Sequence, residues 1–168
     1  QIHATDSDKT RLAPIFERLK RAETRNVQVH AAKSDLSALE GAMDCVLIDA
    51  PCTGAGTWRR RPDAKWRLSE RQLEQRMGEQ AAILEAAAKY VKPGGRLVYV
   101  TCSLFEEENG ARVEAFLAGH AGFRPADHGQ RIEALLPALG TGAALIRSSG
   151  VTLTPSLTGT DGFFVCVV

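Results

Sequence analysis

The chain has 168 residues, 44% of them apolar and 24% charged, with a formal net charge of +1. That composition is of an ordinary soluble globular protein, and the length suits one domain (1–168) with a real core. No apolar run approaches the roughly 18 residues of a membrane span, and no signal peptide is visible. The near-neutral balance leaves any nucleic-acid binding to a local patch. The four cysteines at 45, 52, 102 and 166 have neither metal-type CxxC spacing nor the look of a secreted disulfide framework. Reduced thiols, no metal, no membrane and a cytoplasmic location are expected.

Strand and helix signals alternate from the start. Ile2-His3-Ala4-Thr5 reads as a short strand ending in Asp6-Ser7-Asp8. Leu12, Ile15, Phe16 and Leu19 fall at helical spacing, and Val27-Gln28-Val29-His30 is a second strand. The apolar run Cys45-Val46-Leu47-Ile48 predicts a buried parallel strand over residues 44–49, with Cys45 in the core. From Ser69 to Val91 the positions Leu73, Met77, Ala81, Leu84, Ala88 and Val91 mark one helix face, and Pro93-Gly94-Gly95 is the expected stop. A strand at 96–101 follows. Ser103-Leu104-Phe105-Glu106 then reads as a capping box, opening a helix with Val113, Phe116 and Leu117 inward. Segments 151–154 and 163–168 are β-rich, with Cys166 in the core. The pattern predicts an α/β fold, mostly parallel, closed by a C-terminal antiparallel pair.

Cys52 and Cys102 each stand just beyond an apolar strand, in Asp49-Ala50-Pro51-Cys52 and Val100-Thr101-Cys102-Ser103. In an open α/β sheet, residues past the carboxyl ends of strands line the ligand crevice. Two thiols and the Asp49 carboxylate would converge there. A thiolate is a strong nucleophile, so the arrangement suits attack on an electrophilic ring carbon and points to an enzyme. For Cys52 the competing reading is a small buried residue. Asp6 ends the first strand, where nucleotide-binding folds put an acid on the ribose hydroxyls. Asp8 is the alternative occupant, and a helix N-cap is the plainer role for either. Gly54-Ala55-Gly56 lacks the third glycine of a dinucleotide fingerprint and reads as a flexible loop allowing a substrate close. Arg59-Arg60-Arg61, flanked by Trp58 and Trp66, suits RNA phosphates or a solvated loop. Trp66 reads as packing, Trp58 is open, and Glu106 to Glu108 with Arg112 read as helix-end electrostatics.

Asp-Ala-Pro-Cys-Thr-Gly (49–54), Arg-Arg-x-Pro-Asp-Ala-Lys-Trp (59–66), Val-Thr-Cys-Ser-x-x-x-Glu-Glu-Asn (100–109) and Asp-Gly-Phe-Phe (161–164) together resemble the RsmB (Sun/Fmu, NOP/Sun) family of RNA cytosine-C5 methyltransferases. The resemblance runs from the Asp6 region to the C-terminus. It implies a Rossmann-like methyltransferase fold, S-adenosyl-L-methionine as cofactor and RNA, ribosomal RNA foremost, as substrate. It implies Cys102 as nucleophile, Cys52 as the thiol that assists product release, and Asp49 as a contact to the target cytosine. Asp6, Asp8, Asp49 and Pro51 are then the cofactor-side candidates. Arg59, Arg60, Arg61, Lys65 and Thr101 are the RNA-side candidates.

Two departures accompany the resemblance. The glycine-rich cofactor loop and its strand should lie upstream of Gln1, so the chain is expected to be the C-terminal part of a catalytic domain. Lys33 stands about where relatives carry an adenine-contacting aspartate, and Asp35 replaces it only with a two-residue shift. The alternative from another class is a non-catalytic RNA-binding fragment or pseudoenzyme. With the first strand absent, the strands at 2–5 and 44–49 should have bare edges, with residues 1–10 and 31–40 disordered or covered by a neighbouring chain.

Overall fold

The computed structural model describes residues 1–135 and 144–168. It divides into two compact units, Gln1–Leu39 and Glu40–Val168. In the first, strands β1 (Ile2–Thr5) and β2 (Val27–His30) pair in parallel, Ile2 opposite Val27 and Thr5 opposite His30. The helical segment between them is two short helices, α1 (Lys9–Leu12) and α2 (Ile15–Arg21). Pro14 interrupts them, because its ring lacks the N–H and clashes with the preceding turn. Leu12, Ile15 and Leu19 are half-buried, whereas Phe16, expected on the same face, is exposed.

The second unit is a five-stranded mixed sheet in the order β3-β4-β7-β6-β5. Strand β3 (Met43–Asp49) lies parallel to β4 (Val91–Thr101), with Ile48 opposite Tyr99 and Asp49 opposite Val100. Strands β5 (Leu145–Arg147), β6 (Gly150–Leu153) and β7 (Phe163–Val167) extend it in antiparallel fashion from β4 outward. The α/β class and the antiparallel closure are as expected. The closure has one strand more, because Leu145-Ile146-Arg147 is short and wholly exposed and carries no alternating pattern.

Four local readings are corrected. First, helix α4 runs Glu70–Ala88, and Val91 already belongs to β4. Pro93-Gly94-Gly95 does not stop it; they form a bulge inside β4, across which the register jumps from Met43↔Val91 to Cys45↔Arg96. Gly94 takes φ +77° there, and a Cβ on Gly95 would lie 2.8 Å from the Met43 carbonyl oxygen. Second, α4 points Gln80 inward beside Leu84, and Ala81 is exposed. Third, helix α5 (Gly110–Gly119) begins after a 3₁₀ turn at Glu106–Glu108, and Ser103 caps nothing as a capping box. Its predicted inward residues hold, with Val113 and Phe116 buried and Leu117 packed against the core. Fourth, β3 is not buried on both faces. It is the edge of its sheet, with Cys45 exposed and Leu47 67% exposed. Cys166, in β7, is buried as expected.

The core collects Ile48, Ala50, Leu84, Leu97, Tyr99, Val113, Phe116, Phe164 and Cys166 between α4, α5 and the sheet. Short helices α3 (Ala64–Arg67), α6 (His128–Leu135) and α7 (Pro155–Thr158) lie outside it. Among the described residues no helix is long and apolar enough to cross a membrane, and no cluster of His, Cys, Asp and Glu could hold a metal.

Leu97 is fully buried at the centre of the sheet. Leu97→Ala should lower stability by about 2–5 kcal/mol. Ser69 makes a true capping box with Gln72 at the start of α4, and Ser69→Ala should cost about 1 kcal/mol. Urea unfolding midpoints check both, and equal effects would contradict the assignment of the core.

Candidate active site

Two parallel neighbouring strands must end on the same edge of a sheet, so the loops after β3 and β4 emerge side by side. The ladder continues one step beyond β3, where the Ala50 N–H donates to the Val100 carbonyl at 2.9 Å. Two residues further on, the loops bring Cys52 and Cys102 together with their Sγ atoms 3.2 Å apart, both thiols free. The hydrogen bond from Cys52 pulls Cys102 down to about 7, against burial and the opposing charges of Asp49 and Glu108. Cys52 moves the other way, pushed up by that same hydrogen bond and then by burial. The pair therefore shares a proton, with the negative charge favoured on Cys102. Asp49 itself is exposed at the carboxyl end of β3.

A polar core holds these loops. Glu108 is fully buried. One carboxylate oxygen accepts from the Thr53 N–H (2.8 Å) and the Gln80 amide (3.0 Å). The other accepts from the Thr53 hydroxyl (2.5 Å) and from the Ser103 hydroxyl. Gln80 also donates to the Pro51 carbonyl at 2.8 Å, and the Tyr99 hydroxyl donates to the Glu108 carbonyl at 2.7 Å. Asn109 accepts from the Thr101 hydroxyl at 2.6 Å and donates to the Ser103 carbonyl at 3.0 Å. Thr101, expected on the RNA side, is thus fully buried with its hydroxyl turned into the protein. Pro51 is half-buried and is held through its carbonyl.

The glycine loop has a different job from the one expected. Gly56 is buried; its N–H donates to the Cys102 carbonyl at 2.9 Å, and its carbonyl accepts from the Gly162 N–H at 2.8 Å. A Cβ on Gly56 would sit 2.2 Å from the Gly162 oxygen. The close approach is between backbones, so no side chain fits.

The arginine run is divided. Arg60 pairs with Asp161 at 2.5 Å, and Arg59 approaches the same carboxylate at 3.7 Å. The Arg60 guanidinium holds the Asp161 carboxyl below its ordinary range. Arg61 instead lines an open cleft of ≈ 380 Å³ that reaches Cys52 and Thr53, together with Arg67, Gln72 and Arg76. Lys65 lies over the rings of Trp66 (5.3 Å) and Trp58 (5.8 Å). Of the tryptophans, Trp66 is not the packing residue expected, and Trp58, left open by the sequence, takes that place. Trp66 is 82% exposed, whereas Trp58 packs edge-on against Phe105.

Asp8 is the N-cap of α1, its carboxylate accepting from the Thr10 N–H at 2.8 Å and the Thr10 hydroxyl at 2.7 Å. Asp6 accepts the Asp8 N–H at 2.8 Å through one oxygen only. Asp35 holds the Ser37 N–H at 2.9 Å in a tight turn.

The two thiols stand at the carboxyl ends of neighbouring parallel strands, where open α/β sheets place their sites. The chain belongs to the family described as 16S rRNA methyltransferase RsmB/F, whose pattern matches residues 1–168. It is 36% identical over 165 residues to ribosomal RNA small subunit methyltransferase B of Pectobacterium carotovorum, covering 97% of this chain and 35% of that protein. The chain thus spans about a third of the curated relatives it matches. Among solved structures, PH0851 is 32% identical with a TM-score of 0.83, covering 99% of this chain and 36% of that one. A methyltransferase homolog protein from Pyrococcus horikoshii is 27% identical with a TM-score of 0.73, covering 99% and 52%.

Alkylation of Cys102 by iodoacetamide should rise with pH and reach half its maximum near pH 7, since only the thiolate reacts. Cys52→Ala removes the hydrogen bond, and the midpoint should climb toward the ordinary thiol value of about 8.5. Peptide mass spectrometry over a pH series measures both, and an unmoved midpoint would refute the shared proton.

Proposed function

We propose that this chain is the C-terminal part of the catalytic domain of an RNA cytosine-C5 methyltransferase, acting on ribosomal RNA with S-adenosyl-L-methionine. The observation that carries the reading is the Cys52–Cys102 contact of 3.2 Å with Cys102 pushed down to about 7. Cytosine C5 is a poor nucleophile, and an adjacent thiolate remedies that. Cys102 Sγ bonds to C6, the C5=C6 π electrons move to C5, and C5 becomes able to take a methyl group. Asp49, exposed at the end of β3, suits a hydrogen bond at the N3 side of the ring, as the protonated acid or through a bridging water. The C5 proton is then lost to water, the Sγ–C6 bond breaks, and its electrons leave on Cys102. The Cys52 thiol, held neutral, hydrogen-bonds that departing thiolate and so favours release.

The cofactor supplies an electrophilic methyl group on a sulfonium. The residues present fit it on one count: Asp6 stands directly after β1 and, among the described residues, one of its carboxylate oxygens has no protein donor, which suits a ribose hydroxyl. Asp8, committed to capping α1, is the poorer candidate, and Asp49 and Pro51 remain candidates on the β3 loop. For RNA, Arg61, Arg67 and Arg76 around the cleft at Cys52 suit phosphates flanking the target nucleotide, with Lys65 and the exposed Trp66 as a stacking edge. Arg59 and Arg60 contribute charge while anchored to Asp161. The target base has to be unpaired or flipped to reach Cys102.

The test uses the whole protein that carries this chain, ribosomal RNA and tritiated cofactor. Cys102→Ala should lower turnover by at least about 10³-fold and form no adduct. Cys52→Ala should accumulate a denaturation-resistant protein–RNA adduct. An adduct in Cys102→Ala that is missing in Cys52→Ala would reverse the two roles. Retention of full turnover by both would end the covalent reading.

A further inference from the structure

Glu108 belongs to none of the roles above, yet it is the most heavily engaged side chain in the unit. A buried carboxylate is expensive unless every acceptor site is used, and replacing such a group by packed apolar residues often stabilises a protein. Its retention asks for a purpose other than stability. Its four donors come from Thr53, Ser103 and Gln80. Thr53 directly follows Cys52, and Ser103 directly follows Cys102. Gln80 in turn holds the carbonyl of Pro51, the residue before Cys52. One carboxylate therefore grips both cysteine loops at the residues adjoining the thiols. Its own main chain is fixed by the Tyr99 hydroxyl, from the strand that leads into the Cys102 loop.

We infer that Glu108, seconded by Gln80, is the positioning residue that holds Cys52 and Cys102 in contact by clamping Thr53 and Ser103. It acts through geometry and not through charge. Its negative charge opposes ionisation of Cys102, so an electrostatic role would have the wrong sign for making a thiolate. The groups facing Cys102 are Cys52, Asp49 and Glu108, with Arg60 also felt. Of these only Cys52 favours the thiolate by direct hydrogen bonding, and the clamp sets the residues beside both thiols in the register that this bond needs. The catalytic meaning of the clamp rests on the methyltransferase reading, but the clamp itself is visible without substrate.

The experiment compares the pH midpoint of Cys102 alkylation by iodoacetamide in the whole protein and in Glu108→Gln. An amide keeps the volume but turns one acceptor into a donor, aimed at a hydroxyl or N–H that already donates. The midpoint should rise by about one unit or more toward the ordinary thiol value. The methylation kcat should fall by roughly 10²-fold, as expected of a small misplacement of reacting groups, with KM for RNA little changed. An electrostatic role predicts a fall in the midpoint, and a merely structural role predicts a lower melting temperature with the midpoint unmoved; either result overturns the clamp. Should Glu108→Gln fail to fold, Ser103→Ala and the isosteric Thr53→Val each cut one arm and should shift the midpoint in the same direction, while Thr53→Ser keeps both Thr53 bonds and should not. Failure of those two to move it overturns the inference equally. If the midpoint shifts as expected but wild-type protein methylates no RNA, the clamp stands and the reaction reading falls. If wild-type methylates through Cys102 while no clamp variant shifts the midpoint, the reverse holds.

Discussion

Everything at this site depends on one carboxylate buried between two loops. The parallel pairing of β3 with β4 brings those loops to the same edge of the sheet, where the Gly56 N–H bonds to the Cys102 carbonyl. Glu108 ties them a second time, at the residues next to the thiols, by taking donors from both sides. The sheet beneath is conventional, with Ile48, Leu97 and Tyr99 forming a floor and α4 and α5 covering one face. Burial of these apolar groups stabilises the unit without directing it. Direction comes from the polar residues set on top of that floor, namely Gln80, Thr101, Ser103, Glu108 and Asn109, all of them fully or nearly fully buried.

At Cys102 several influences compete, and their balance is informative. Burial, the exposed Asp49 and the buried Glu108 all disfavour a thiolate there. The hydrogen bond from Cys52, helped by a main-chain N–H, outweighs them. A site that needs a nucleophile near neutral pH commonly recruits a cation for the purpose. Here the leading contribution comes from a second thiol, while Arg59 and Arg60 are anchored to Asp161.

Much of this was legible in the sequence, for physical reasons. The apolar runs at 44–49 and 96–101 and the helical spacing from Leu73 to Ala88 are burial patterns, and burial is what sequence periodicity records. The cysteines could be placed because strand ends are where sites sit in α/β sheets. Glu108 escaped because its role is set by contacts with residues 28 and 55 positions away, and an acidic run before a helix imitates dipole compensation. Gln80 escaped because a polar residue on an apolar face breaks the pattern, which made Ala81 look like the inward position. Pro93-Gly94-Gly95 was misread since the same dipeptides that end helices also form bulges. Cys45 and Leu47 were misread since a continuous apolar run does not say whether both faces are covered. Trp66 is not a packing residue because spacing cannot tell which ring finds Phe105, and it is Trp58 that does.

The junction of Gly56 with Cys102 and Gly162 is made wholly of main chain, two hydrogen bonds with no room for a Cβ. Such a crossing works like a rivet through three separate stretches of polypeptide, and it carries no side-chain identity to drift. Whatever length or composition the intervening segments acquire over evolutionary time, the point where the three strips cross is unable to slide. The thiol beside the rivet inherits that fixity from the geometry of the peptide bond itself.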